Sequence, residues 1–102
     1  LSRNILEFSS DVGKFNNDQF MNFLSIVKFT LLNIIKINLG IKIKKKLSSQ
    51  VFDNFCLLSE QIKVTSCFKT LEYLSENENN LFVFNLDKKL FTLNLLSEIV
   101  TN

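Results

Sequence analysis

The stretch NNLFVFNLDKKLFTLNLL, residues 79–96, decides between a mixed fold and an all-helical one. Read locally, LFVF and LFTL are two short apolar runs around a polar NLDKK, which is the usual pattern of a β-hairpin. A strand, however, accounts for residues 90–93 alone and leaves NLLSEIV without a role, whereas one helix from Asn85 onward accounts for both. We therefore predict a final helix, with Asn85 as its N-cap and Asp87 in its first turn, where a negative charge is favourable.

This predicted final helix carries apolar residues on two sides. The expected core row consists of Leu86, Leu90, Leu93 and Val100. A second row, roughly opposite the first, consists of Phe91, Leu95 and Ile99. A surface helix needs a single apolar stripe, so a helix with two is either central in its bundle or packed against another chain, and the sequence leaves both alternatives open. We take the second row as a candidate contact with neighbouring subunits.

The segment FNNDQF, which begins at Phe15, is the clearest helix start in the chain. Asn16 and Gln19 have the spacing of a capping box, and Phe15 and Phe20 that of a hydrophobic staple. The helix is predicted to end just before Gly40, which suits a left-handed position after the last turn. Its expected core residues are Phe20, Phe23, Leu24, Val27, Leu31, Ile34 and Ile35.

The opposite side of this helix is predicted to be polar, with Asn22, Ser25, Asn33 and Lys36. Phe29 lies in the middle of that polar side. It is either a stray surface aromatic residue or a contact to something outside the bundle, and we include it among the candidate interface residues.

Three shorter helices are predicted around this long one. The first has apolar residues from Leu1 to Val12 at helical spacing, with Gly13 in the left-handed position that ends a helix. The third helix follows a cap at Ser48 or Ser49, and the fourth follows Ser66.

The fourth helix has two features that the sequence leaves open. Its expected apolar face includes Phe68, Leu71, Leu74 and Phe82, and Glu78 falls within that face without an explanation. LFVF, residues 81–84, either ends this helix or runs extended.

The composition limits the functions that this chain can serve. Its 102 residues suit one domain, and 46% hydrophobic residues with 11 Phe suffice for a bulky core. Pro is absent and Gly occurs twice, which favours long helices. Without His, the chain has no ordinary zinc site and no usual acid-base pair, so we expect neither an enzyme nor a cofactor.

We expect Cys56 and Cys67 to be buried free thiols in a reducing cytoplasm, the alternatives being one disulfide or a reactive thiol.

A net charge of +2 is too small to indicate a nucleic-acid or membrane partner by bulk electrostatics. The basic segment IKIKKK, Ile41–Lys46, is predicted to be a solvated loop; the alternative is contact with phosphate through Lys42 and Lys44–Lys46, without base-specific contacts. FMNFLSIVKFTLLNIIKINL is long enough to cross a membrane, but two Lys and three Asn interrupt it, so we predict a core helix instead.

The last third of the chain is similar to a known family. LEYLSENENNLFVFNLDKKLFTLNLLSEIV, residues 71–100, resembles the C-terminal end of the bacterial DNA polymerase III clamp-loader delta prime subunits. In that family a helix with spaced aromatic and Leu residues leads through an N-L-D-R/K-K motif into a final Leu-rich helix. FKTLEYL matches the first part, and FNLDKK supplies the motif with Asn85, Leu86, Asp87, Lys88 and Lys89. The final helix is matched by Leu90, Leu93, Leu96 and Ile99.

The resemblance is specific over residues 68–100, and before them the order of helices agrees. It implies that residues 1–102 are a collar domain, an all-α bundle of about five helices, at the C-terminal end of a longer chain. In the family, collar domains of several subunits pack into a ring that positions the ATPase modules loading the sliding clamp onto primed DNA.

By this resemblance the chain is a non-catalytic assembly domain in cytoplasmic DNA replication, and its partners are gamma/tau- and delta-type subunits. The polymerase activity belongs to the parent complex. The chain itself has no G-x-x-x-x-G-K-[ST] loop for a nucleotide. The alternative is a stand-alone helical adaptor of another complex.

Overall fold

The structure, a computed structural model, describes residues 3–43, 47–83 and 87–100, and the side chains of residues 4–43, 47–80 and 87–99. Several predictions lie outside the residues or side chains described. They concern Leu1, Lys44–Lys46, Phe82, Phe84, Asn85, Leu86 and Val100.

Over the described ranges, the regular structure consists of five α-helices, which confirms the prediction of an all-α bundle. α1 spans Arg3–Val12, α2 Asn17–Asn38, α3 Ser49–Gln61, α4 Val64–Val83 and α5 Lys88–Val100. α2 packs on α3 and α4, while α5 packs on α1 and α4.

Both ends of α2 are fixed by local hydrogen bonds. The side-chain oxygen of Asn16 accepts the N–H of Gln19 at 2.8 Å, and the Gln19 side chain accepts the N–H of Asn16 at 3.0 Å, so the predicted capping box is confirmed. At the other end, Gly40 has φ +70, and the N–H of Ile41 donates to the carbonyl of Lys36 at 2.8 Å. This is a Schellman motif, and it places the end of α2 where the sequence predicts it.

The core consists of two clusters of buried side chains along α2. The first lies where α1, α2, α4 and α5 meet and contains Val12, Phe20, Leu24, Leu74, Phe91 and Leu95. The second lies mainly between α2 and α4 and contains Leu31, Ile34, Ile35 and Cys67. All seven predicted core residues of α2 are buried or half-buried, so its predicted core face is confirmed.

Gly13 follows the last residue of α1 but does not take the conformation predicted for it. The backbone at Gly13 is not left-handed. A Cβ added at Gly13 would lie 3.0 Å from the Cβ of Lys89, at the start of α5. A side chain at Gly13 would need Lys89 to move by a few tenths of an ångström, so glycine suits the close approach of α1 to α5.

α4 is one continuous helix, so the 79–96 stretch does not begin with a strand; Leu81–Val83 end α4. Ser66, predicted to be a cap, lies inside the helix and is buried, because α4 already begins at Val64. Phe68, expected in the core, is 53% exposed.

Glu78 of α4 pairs with Lys28 of α2. The carboxylate and ammonium are 2.5 Å apart, and the Glu78 side chain is 16% exposed. The ion pair explains an acidic residue within an apolar helix face, because a charge leaving water needs a partner of opposite charge.

α5 begins later than predicted and buries its other face. The side chain of Asp87 accepts the N–H groups of Lys89 at 2.8 Å and Leu90 at 3.2 Å, so Asp87 is the cap rather than a residue of the first turn. Leu90, expected in the core, is 56% exposed, whereas Phe91 and Leu95 are buried. The physical reason is the position of α5 between α1 and α4, which is the first of the two alternatives for a helix with two apolar rows.

α3 is the least covered helix in the bundle. Ser48 caps α3, since its hydroxyl oxygen accepts the N–H of Val51 at 3.3 Å. This confirms Ser48, one of the two caps predicted from the sequence. Phe55 is its one buried residue. The face of α3 that carries Phe55 lies against α2, and the remaining residues lie at or near the surface.

Candidate protein-interaction surface

Two of the four candidate interface residues, Phe91 and Leu95, are core residues in this structure. Leu95 is fully buried, and Phe91 is 5% exposed. The ring of Phe91 lies edge-on to Phe20, with centroids 6.0 Å apart, and 5.3 Å from the ring of Tyr73. Side chains enclosed by their own bundle do not reach a neighbour, so the prediction that these two contact another subunit is corrected: they join α5 to α2 and α4.

Ile99, the third candidate, is half-buried near the end of α5. It lines an apolar cavity of about 150 Å³ together with Ile26 of α2, Leu58 of α3 and Ile62, the C-cap of α3. Ile99 therefore lies where three helices meet close to the surface, rather than on an open helix face.

Phe29, the fourth candidate, is at the surface. It is 38% exposed, and its ring is 6.0 Å from that of Phe55 in an edge-on arrangement. The Phe55 ring of α3 thus lies against Phe29, and part of Phe29 stays exposed to solvent. Phe29 marks the line along which α2 and α3 meet at the surface.

The outward face of α2 carries exposed apolar residues that the sequence reasoning missed. Ile26 is 64% exposed, Leu32 48% and Leu39 57%. Together with Phe29 they turn a face that was predicted to be polar into a largely apolar one. The signal in the sequence is the spacing of Phe29, Leu32 and Leu39, which places all three on one side of the helix.

Asn33, predicted on the polar side, is 4% exposed. Its side-chain amide donates to the carbonyl of Phe29 at 2.8 Å. This bond within the helix gives the amide a partner, which is what allows a polar side chain to be buried at this position.

The charged residues in the sequence segment that contains this face are all basic. No Asp or Glu occurs between Asp18 and Asp53, and six Lys do. Lys28 is paired with Glu78, Lys36 is half-buried and Lys42 is exposed. The remaining six basic and ten acidic residues give the rest of the chain a net charge of −4. The chain is therefore far more asymmetric in charge than its net charge of +2 indicates.

Chemically reactive groups are sparse. Burial raises the pKa of the Cys67 thiol, since desolvation disfavours the thiolate, so this cysteine is a poor nucleophile. Cys56, predicted to be buried, is half-buried instead, and both cysteines are free. Among the described residues, no group of three or more Cys, Asp or Glu side chains lies together as a metal site requires.

An open cleft of about 240 Å³ between α4 and α5 is lined by Tyr73, Asn77, Asp87 and Asn94, with Leu90 and Phe91. The carboxylate of Asp87 is already engaged with two N–H groups of α5. In the family-like motif, Asp87, Lys88 and Lys89 thus form the start of α5, and their visible role is structural.

α2 is long and apolar enough to cross a bilayer, judged by length and composition. Its most apolar window has a mean hydropathy of 1.5, and 33% of that window is buried within the bundle. A core helix of a soluble protein gives the same result, so this property by itself assigns no membrane role.

A comparison of the chain with protein-family models, with curated proteins and with solved structures found no match. What the chain does must therefore be inferred from its own exposed residues and contacts and from the motif-level resemblance.

Proposed function

We propose that this chain is a non-catalytic helical domain that assembles with other protein chains. One observation carries the proposal: the outward face of α2 exposes Ile26, Phe29, Leu32 and Leu39. Exposed apolar residues gathered along one helix mark interaction surfaces, because leaving them in water is unfavourable and covering them stabilises a complex.

The complex that we propose is the DNA polymerase III clamp loader. The chain would serve as the collar domain of the delta prime subunit in the cytoplasm, with gamma/tau- and delta-type subunits as neighbours. Two observations support this assignment: the similarity of residues 68–100 to the end of that subunit, and a bundle of five described helices. The sliding clamp, the ATPase modules and the polymerase activity would all belong to other parts of the complex.

Co-expression tests the proposal. The chain is produced together with the clamp-loader subunits of its own organism and purified through a tag on the chain. We expect those subunits to co-purify with the unaltered chain and to be lost with Leu32→Ser. The matched control is Leu57→Ser, because Leu57 is also exposed, at 57%, but lies on α3 away from Phe55.

The outcomes separate the proposal from its alternative. If a different protein co-purifies and is lost with Leu32→Ser, the chain is a helical adaptor of another complex. If nothing co-purifies with the folded chain, the assembly function itself is contradicted.

A further inference from the structure

The outward face of α2 has the spacing of a coiled-coil seam. Six residues recur at alternating intervals of 3 and 4 along this helix and its C-cap; they are Asn22, Ser25, Phe29, Leu32, Lys36 and Leu39, called the outer row below. Five of the six are exposed, and Lys36 is half-buried. Alternating intervals of 3 and 4 keep a narrow stripe facing one partner helix, whereas the broader stripe of α2 already faces its own core.

The apolar part of the outer row occupies its second half. From Phe29 to Leu39 the helix rises about 15 Å, which is the length of roughly three turns. Phe55 of α3 covers one edge of Phe29 and forms a wall beside the row. A helix lying along α2 would thus place its side chains between those of the outer row, on the open side of that wall.

The basic residues on and near the outer row favour a partner with acidic residues. Lys36 lies within the outer row and makes no ion pair in the part of the chain that the structure describes. The segment from Gln19 to Phe52 has six Lys and no acidic residue. Lys28 is paired with Glu78 and Lys44–Lys46 lie outside the described residues, so Lys36 and Lys42 are the charges that the structure leaves for a partner near this end of α2. A second copy seated on the same face would bring like charges together, whereas a helix with acidic residues beside its apolar seam would neutralise them.

We propose that the outer row binds one amphipathic helix of another protein, with Leu- or Ile-type residues at its seam and Asp or Glu opposite Lys36. The proposal rests on the assembly function above and specifies the kind of surface that the neighbour presents. A bilayer fits the outer row less well, because two polar residues, Asn22 and Ser25, begin the row and Lys36 interrupts its apolar half.

The test uses the whole chain and two synthetic helical peptides of about three heptads, long enough for stable seam packing. Both peptides have Leu at the seam. The acidic peptide has Glu at the flanking positions, and the matched basic peptide has Lys there. Binding is measured by fluorescence anisotropy at low and high salt.

We expect the acidic peptide to bind at least about tenfold more tightly than the basic one, with the difference shrinking in high salt. Leu32→Ser should weaken binding of the acidic peptide about fivefold or more, and Leu57→Ser should leave it unchanged. Lys36→Glu should reduce the preference for the acidic peptide, by up to about fivefold for a partly exposed pair.

Other results overturn the proposal. Equal binding of the two peptides, or binding by neither, would contradict an acidic helix as the occupant. A dimer of the chain alone that Leu32→Ser dissociates, seen by light scattering, would assign the face to a second copy. Binding to phosphatidylserine vesicles that Leu32→Ser abolishes, with neither peptide bound, would assign the face to a membrane.

These failures are distinguishable from a failure of the assembly function. If the peptides fail but the chain still co-purifies with defined subunits in a Leu32-independent way, the chain assembles through a different surface. If co-purification fails as well, the chain has no assembly role.

Discussion

α2 and α5 are both apolar helices, yet the sequence identifies the buried face of α2 and leaves the role of the second apolar row of α5 open. α2 has one broad stripe, and every residue predicted to lie in the core is at least half-buried. α5 has two rows, and the row taken as a candidate contact with other subunits contributes Phe91 and Leu95 to the core, whereas Leu90 of the expected core row is exposed. In a helix with a single apolar stripe, the stripe itself shows which face is buried. In a helix with two stripes, which face is buried depends on how helices distant in the sequence pack against it.

Truncating the core row of α5 should produce the largest effect. Leu95→Ala removes a fully buried side chain from the cluster that joins four helices, so we expect a loss of about 2–5 kcal/mol in the free energy of unfolding. The measurement is urea denaturation followed by circular dichroism. Leu95→Asp should prevent folding, because it would bury an unpaired charge.

The matched control is Leu90→Ala, which changes an exposed residue of the same helix. We expect a change of less than about 0.5 kcal/mol, since Leu90 is 56% exposed. Equal destabilisation by the two variants would contradict the assignment of the buried face.

The comparison also shows what a sequence reveals of a fold. The ends of α2 follow from residues within a few positions of each other, namely Asn16 with Gln19 and Gly40 with Lys36, so they are predictable. The all-helical class follows from spacing and from the absence of Pro. Pairing of Lys28 with Glu78 joins residues 50 positions apart, and no local pattern indicates it.

The candidate surface on α2 was predicted less well, because exposure also depends on contacts with helices distant in the sequence. Phe29 was identified because an aromatic residue among polar ones is conspicuous. Ile26 and Leu32 were not identified, because a helix so rich in apolar residues gives no local sign of which ones its neighbours leave uncovered. Asn33 looked like a surface residue because its hydrogen bond to its own helix is not visible in the sequence.

Removing either helix cap should have a moderate effect. Asn16→Ala at α2 and Asp87→Ala at α5 each remove a side-chain acceptor from the first turn of a helix, and we expect a loss of about 1 kcal/mol for each in urea denaturation. If Asp87→Ala is as stable as the unaltered chain, Asp87 is not the cap of α5, and Asn85, the cap predicted from the sequence, takes that role instead.

The ion pair between α2 and α4 should contribute less. A double-mutant cycle with Lys28→Met and Glu78→Gln should give a coupling below about 1 kcal/mol, because Lys28 is 38% exposed and solvent screens the pair. Repeating the cycle in high salt should reduce the coupling further. A coupling that does not change with salt would mean that the pair is less accessible to solvent than its exposure indicates.

The smallest effect on stability is expected on the outward face of α2. Leu32→Ser changes an exposed residue, so the free energy of unfolding should change by less than about 0.5 kcal/mol. If Leu32→Ser loses assembly but keeps normal stability, Leu32 belongs to an interaction surface and not to the core. A clear loss of stability would instead place Leu32 in the core.

The central claim is that the chain contacts other proteins through the outward face of α2 and not through α5. In-cell photo-cross-linking tests this claim most directly. A benzophenone amino acid is placed at Leu32 or at Leu90, two exposed residues on the two helices being compared. We predict covalent adducts with another protein from position 32 and none from position 90. Adducts from position 90 alone would contradict the claim and return the interface to α5.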